Sequence, residues 1–204
     1  MILRIVLSAV AGYAFGMAVT AIIVSHLFFK EDVRDKGSGN SGATNAARVY
    51  GLKIGVLTYA GDFLKGVLAC LIGRLIGGEQ YGLLCLAVAG SGCILGHCFP
   101  VIFKFRGGKG VSVGSALALM LDWRIFVCAL AVFILLVLIT KIVSVGSIGA
   151  CVTVGVTAAI FTGDLAVKLI TAAAAAVVIA MHHGNIARLI KGTEKKMTFG
   201  KSKK

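Results

Sequence analysis

Between Arg124 and Lys141 the chain reads Ile125-Phe126-Val127-Cys128-Ala129-Leu130-Ala131-Val132-Phe133-Ile134-Leu135-Leu136-Val137-Leu138-Ile139-Thr140, sixteen uncharged residues with a basic residue at either end. Lipid demands such a stretch: with no water to bond, every backbone amide and carbonyl must be satisfied inside its own helix. Reading outward, further apolar spans lie at about 4–29, 52–76, 81–103, 111–121, 145–162 and 165–181. Together they predict an all-α polytopic membrane protein with about seven crossings. The fourth span is the shortest, since its eleven residues (111–121) rise only about 17 Å against a hydrocarbon core of roughly 30 Å.

Composition agrees with this class. Of 204 residues, 58% are hydrophobic and 14% charged, and the mean hydropathy is +0.98. One proline and 27 glycines favour closely packed helices. The length fits a single integral membrane domain over 1–204, without a second globular unit.

Alternating the loops across the bilayer places sixteen of the 21 basic residues on one side, Arg48, Lys109, Lys141 and Arg188 among them. Arg4, Arg74, Arg124 and Lys168 fall on the other, and Lys65 lies within the second span. Basic flanks stay cytoplasmic, so the N-terminus is expected outside and the C-terminus inside. The same topology explains most of the net charge of +13; no aromatic platform or nucleic-acid module accompanies it. The tail from Lys191 to Lys204 carries six lysines against Glu194, a pattern that suits anionic headgroups or plain solvation. The first span, preceded by Arg4 and lacking a cleavage pattern, reads as a retained helix. Cys70, Cys85, Cys93, Cys98, Cys128 and Cys151 are irregularly spaced in apolar surroundings, which predicts buried free thiols and no metal site.

Three polar stretches interrupt the apolar pattern, and the topology brings all of them to the cytoplasmic face. Ser38-Gly39-Asn40-Ser41-Gly42-Ala43-Thr44-Asn45, with Arg48, alternates glycine with small polar residues, as an anion-binding turn or an ordinary glycine-rich loop would. Arg106-Gly107-Gly108-Lys109-Gly110 allows close backbone approach to a phosphate with an ammonium as counter-charge. It is not a Walker loop, because Lys109 is followed by Gly110 where that motif needs Ser or Thr. The third stretch is His182-His183-Gly184-Asn185, with Arg188. His97 and His182 border the second and third stretches, where an imidazole serves either as a proton carrier or as a structural hydrogen bonder. Asp62 and Lys65, three apart within a span, read as a mutually neutralised pair facing the bundle interior or a substrate cavity.

At the level of ordered motifs the chain resembles the bacterial acyl-phosphate:glycerol-3-phosphate acyltransferases, the PlsY family. The resemblance rests on Arg34, Gly37-Ser38-Gly39-Asn40, Gly42-Ala43-Thr44-Asn45 and Arg48; on Asp62 with Lys65-Gly66; on Gly96-His97, Phe99-Pro100 and Gly107-Gly108-Lys109-Gly110-Val111; and on His182, Asn185-Ile186, Arg188-Leu189 and Glu194. It runs nearly the full chain. Departures are Gly16-Met17-Ala18-Val19, where relatives usually carry a Gly-Ser-Ile/Leu-Pro type turn, and Arg106, where lysine is common. Lys141 to Ser147 looks like a variant of the family's Arg-Tyr-Val-Ser segment, from which Ser144 alone is carried over.

The resemblance implies acyl transfer from acyl phosphate to the 1-hydroxyl of glycerol 3-phosphate, giving lysophosphatidate and phosphate in phospholipid biosynthesis. It implies a plasma (inner) membrane location, a cytoplasmic active site, no cofactor and no obligate protein partner. Ser38, Thr44, Asn45 and Arg48 would hold the acyl-phosphate headgroup, and Gly107, Gly108, Lys109 and Gly110 the glycerol 3-phosphate, or the reverse. Ser144 would join the phosphate contacts. His182 with Asn185, or else His97, would orient and deprotonate the acceptor unless a substrate phosphate oxygen does so, and Glu194 would brace the third motif. Two rival readings weaken on the residues themselves. A histidine-acid acyltransferase needs Asp five positions after His, yet Glu31, Ile102, Ala187 and Arg188 stand there. A small anion transporter would be expected to show repeated halves and a midplane site, and the sequence suggests neither.

Overall fold

The computed structural model describes residues 1–197, so the last lysines of the basic tail (Lys201, Lys203 and Lys204) lie outside the described residues. Among the described residues the regular structure is entirely helical. Helices α1 (Ile2–Met17) and α2 (Thr20–Phe29) lead to a short α3 (Ala43–Tyr50) and the long α4 (Leu52–Cys98). They are followed by α5 (Val111–Leu121), α6 (Trp123–Thr140), α7 (Val143–Phe161), α8 (Leu165–Ala180) and α9 (His183–Ile190).

Among the described residues, four stretches are long and apolar enough to cross a bilayer: Ile2–Phe29, Leu52–Phe103, Trp123–Thr140 and Val143–Phe161. A fifth forms if α8 and α9, bent by 55°, are taken together, and Val111–Leu121 is a shorter apolar helix. The apolar helices therefore begin and end close to where the hydrophobic pattern put them.

The long α4 is a hairpin rather than a rod. Gly78 takes φ 63 and ψ −159, a conformation that side chains exclude, and the chain reverses there. The proof is a contact between Lys65 and His97, whose nitrogens are 3.0 Å apart although 32 residues of straight helix would separate them by about 48 Å. The reversal needs small residues: a Cβ on Gly77 would stand 2.8 Å from the Gly82 Cα. Helix α1 lies against the returning arm with the same closeness, a Cβ on Gly16 standing 2.8 Å from the Gly96 Cα. Where apolar burial adds little in lipid, such backbone approach supplies the packing.

The expected first span, 4–29, is built from two helices, α1 and α2, with a break between them. Ala18 (ψ 82) and Val19 (ψ 102) leave the helix, stranding backbone groups in an apolar setting. Residues from α4 satisfy them. Lys65 Nζ donates to the carbonyls of Gly16 (3.1 Å) and Ala18 (2.7 Å), while Asp62 Oδ1 accepts from the Thr20 amide (3.2 Å) and hydroxyl (2.9 Å). Asp62 thus caps α2 from across the bundle. The interior pair is satisfied at 2.8 Å and buried, as a pair facing away from lipid must be.

The remaining core joins α4, α5, α7 and α8 through Cys70, Leu86, Ile94, Leu117, Cys151 and Val178. All six cysteines are free thiols, and all but Cys128 are buried. Large apolar side chains such as Leu135, Leu138 and Ile139 on α6 point outward, where lipid is their solvent.

Candidate active site

The first polar loop is folded around one side chain. Asn45 is 2% exposed; its Oδ1 accepts from the Ser38 amide at 2.7 Å, and its Nδ2 donates to the carbonyls of Val33 (3.0 Å) and Lys36 (3.1 Å). Asn45 therefore shapes the loop from within, while Ser38, Thr44 and Arg48 stand exposed on its outer face. Arg34 fastens this loop to the next one. It is held at 2.6 Å by Asp32 and donates to the carbonyls of Phe103 (3.3 Å) and Arg106 (2.9 Å).

In the second loop the glycines serve the fold first. The Gly107 amide donates to the Cys98 carbonyl (3.2 Å) and the Gly108 amide to that of His97 (3.0 Å). A Cβ on Gly108 would overlap the His97 ring. Gly110, with φ 85, turns the chain into α5. The first amides of a helix have no partner within it, so Lys109 stands beside an electropositive helix start.

His97 is only 3% exposed and lies under this loop. Its Nδ1 meets Lys65 Nζ at 3.0 Å and lies 3.6 Å from Asp62 Oδ1. An ammonium can only donate, so Nδ1 of His97 accepts, and its lone pair is taken. That argues against His97 as the base and for its role as a support of the glycine loop.

His182, 2% exposed, presents the opposite arrangement. Its Nδ1 lies 2.7 Å from the Val178 carbonyl, which can only accept, so Nδ1 carries the proton and Nε2 keeps a lone pair. Burial holds its pKa below the ordinary histidine value, against the pull of the Val178 carbonyl. Burial thus favours the neutral form of the ring, in which Nδ1 carries the one proton.

Asn185, 7% exposed, connects the second and third motifs. Its Oδ1 accepts from Lys109 Nζ, and its Nδ2 donates to Glu194 Oε1 at 2.5 Å. The carboxylate of Glu194 also accepts from Ser144 Oγ (2.9 Å) and Arg188 Nε (2.6 Å). Burial opposes its charge, but these donors, Asn185 first among them, outweigh burial and hold its pKa below the usual range. Ser144 therefore contributes through Glu194, joining the start of α7 to the third motif. Lys109 is pulled down to about 8 by burial, with Arg188 and Arg48 pushing the same way and Glu194 opposing. The charges of all three motifs act on one ammonium.

Below this cluster an apolar chamber of about 270 Å³ opens between α4, α5, α6, α7 and α8. Val111 and Val178 line its near end; Val111 is two residues past Lys109, and Val178 is the hydrogen-bond partner of His182. The arrangement sets a polar, cationic rim, with Nε2 of His182 free, over an apolar pocket. Sequence reasoning counted Arg188 with the third polar stretch but gave it no part in holding Glu194, and it gave no role to Arg34 or to the link of Asp62 and Lys65 with His97. The signal present for the last was the cost of two charges in a span.

Comparison with known proteins shows what the chain as a whole is similar to. The glycerol-3-phosphate acyltransferase family pattern matches residues 6–192. A glycerol-3-phosphate acyltransferase of Finegoldia magna is 36% identical, with 96% of this chain and 97% of the relative covered. That of Syntrophotalea carbinolica is 41% identical over 90% and 93% of the two chains. Crystal structures of PlsY, an integral membrane glycerol 3-phosphate acyltransferase, superpose with TM-scores of 0.87 in the glycerol 3-phosphate form and 0.85 in the lysophosphatidic acid form. Both are 30% identical and cover 96% of this chain, with 96% and 95% of their own chains covered.

Proposed function

This chain belongs to the glycerol-3-phosphate acyltransferase family, and on that premise we propose that it takes its acyl group from acyl phosphate, placing it on the 1-hydroxyl of glycerol 3-phosphate and releasing lysophosphatidate and phosphate. The observation that carries the proposal is the rim around Lys109. Two phosphate-bearing substrates need clustered cations, and Arg48 and Arg188 each lie within electrostatic reach of Lys109, above an apolar pocket suited to an acyl tail.

In this mechanism Arg48, with the outer face of the first loop at Ser38 and Thr44, holds one headgroup, and Lys109 at the start of α5 holds the other. His182 Nε2 takes the proton from the 1-hydroxyl as its oxygen attacks the acyl carbonyl carbon. The tetrahedral intermediate collapses, the bond from carbonyl carbon to phosphate oxygen breaks, and phosphate leaves with the electron pair. Fixed cations that stabilise the departing phosphate need no reorganisation at that moment. Asn185, Glu194 and Ser144 keep Lys109 in place, and His97 and Asn45 support the two loops. A single membrane domain with seven crossings, an external N-terminus and a cytoplasmic site in the plasma (inner) membrane accommodates both substrates. The one-sided distribution of basic residues supports that orientation.

The test is a purified-enzyme assay with labelled glycerol 3-phosphate that compares acyl phosphate, acyl-CoA and acyl carrier protein as donors. Labelled lysophosphatidate is expected from acyl phosphate alone, and use of thioesters alone would reject the proposal. In the same assay Lys109→Ala and Arg48→Ala are each expected to lower kcat/KM by about 10²–10³-fold, the usual loss of a positioned electrostatic donor. Full activity in both variants would remove the rim from the mechanism.

The pH profile supplies an independent check. Lys109 loses its charge as pH rises through about 8, so kcat/KM is expected to fall on the alkaline side from there. Lys109→Arg keeps its charge to far higher pH. Its remaining activity is expected to show no decline near 8, whereas an unchanged alkaline limb would assign it to another group.

A further inference from the structure

The chamber under the rim has a floor. On α5 it runs from Val111 to Ala118 and on α8 from Val178 to Thr171, seven residues of helix in each case, so its depth is about 10 Å. At the far end Ala118 and Val154 meet Phe126, which reaches in from α6. These three belong to a separate packed cluster with Ile125, Ala158 and Phe161, so the floor is backed by side chains rather than by a gap. Phe126 is fixed in turn by an edge contact with Phe63, their ring centroids 6.3 Å apart.

The polar atoms of the wall are already occupied. Thr171 Oγ1 donates to the Val167 carbonyl at 2.8 Å, Ser115 Oγ to that of Ser112 at 2.7 Å, and the Tyr59 hydroxyl lies 3.0 Å from Ser115 Oγ. Such a wall offers a polar ligand nothing and suits a hydrocarbon chain, whose head would emerge beside Lys109 and His182.

We propose that Phe126, with Ala118 and Val154, closes the acyl chamber and sets the chain length of the acyl donor this enzyme prefers. The inference rests on the acyl-transfer reading above. For a donor taken up from water, each methylene that finds apolar cover improves kcat/KM by up to about fourfold, equivalent to roughly 0.8 kcal/mol, until the chain reaches the floor; for a donor already in lipid the gain per methylene is smaller but ends at the same length. Beyond that point a further methylene must displace Phe126 or fold back, and the gain stops.

The experiment measures kcat/KM of the purified full-length enzyme with a series of acyl phosphates from medium to long chain, at saturating glycerol 3-phosphate. Phe126→Ala is expected to move the optimum to longer chains, with the rise per methylene continuing past the wild-type limit. Val154→Phe is expected to move it to shorter chains, and Ala118→Leu does so in a second position if Val154→Phe does not fold. Active variants that keep the wild-type chain-length profile would overturn the floor while leaving acyl transfer intact. A wild-type enzyme that makes no lysophosphatidate from any acyl phosphate would instead remove the reading beneath it. A hydrocarbon tail of a resident membrane lipid in the chamber would show as an unaltered profile in both enlarged and filled variants, and it counts against the proposal.

Discussion

Replacing His182 by glutamine is expected to lower kcat by about 10²–10⁴-fold, the range for loss of a general acid–base group, while KM for glycerol 3-phosphate changes little. The expectation follows from the tautomer. The Val178 carbonyl forces the proton of His182 onto Nδ1, leaving Nε2 as the ring's lone pair, and burial keeps the imidazole neutral below the pH at which a free histidine would charge. Glutamine preserves size and a polar tip but cannot take a proton. Single-turnover measurement of labelled lysophosphatidate separates chemistry from product release. If His182→Gln loses less than about tenfold, a phosphate oxygen of the substrate accepts the proton, and His182 is reduced to holding the end of α8 through Val178. The same variant distinguishes His182 from His97: Nδ1 of His97 is committed to Lys65, so His97→Gln is expected to lower stability along with activity.

The two histidines also show where the sequence stopped being informative. Both border a polar motif, and nothing in their neighbours says which has a free nitrogen; that is decided by Lys65 in one case and by the Val178 carbonyl in the other. The apolar helices were legible because lipid imposes a length and a composition that few residues can satisfy. The short helices α3 and α9 were not, since each has only eight residues, about two turns, and lies in a polar stretch that contains or adjoins glycine and so reads as a loop. Asn45 was expected at a phosphate because asparagine in a glycine-rich stretch offers both a donor and an acceptor. The fold uses those same groups to close the loop on itself. Gly107 and Gly108 were likewise read for access to a ligand, whereas their first constraint is the ring and carbonyl of His97. The break at Ala18 was signalled only by the resemblance, which places a turn at Gly16-Met17-Ala18-Val19 in relatives; the groups that permit it here lie more than forty residues away on α4.

That break sets up the other large effect. Asp62→Asn is expected to destabilise the protein by about 3–5 kcal/mol, because it leaves the Lys65 ammonium buried without its counter-charge. Asp62 is 1% exposed and meets Lys65 at 2.8 Å, and the same oxygen caps α2 through Thr20. Lys65 in turn holds the carbonyls of Gly16 and Ala18 and the ring of His97, whose own carbonyl receives the Gly108 amide. One substitution therefore loosens the joint between α1 and α2 and the support of the glycine loop together. Thermal unfolding in detergent can be followed with a thiol-reactive dye, since Cys70, Cys93 and Cys98 are buried and free and become reactive only when the core opens. Asp62→Asn and Lys65→Met are each expected to unfold well below wild type. The double variant is expected to recover part of the loss, because removing both charges avoids the unpaired one. Strict additivity of the two single effects would mean that the pair does not act as a unit, and the stabilisation of the interrupted span would then have to come from the packing of α1 against α4 alone.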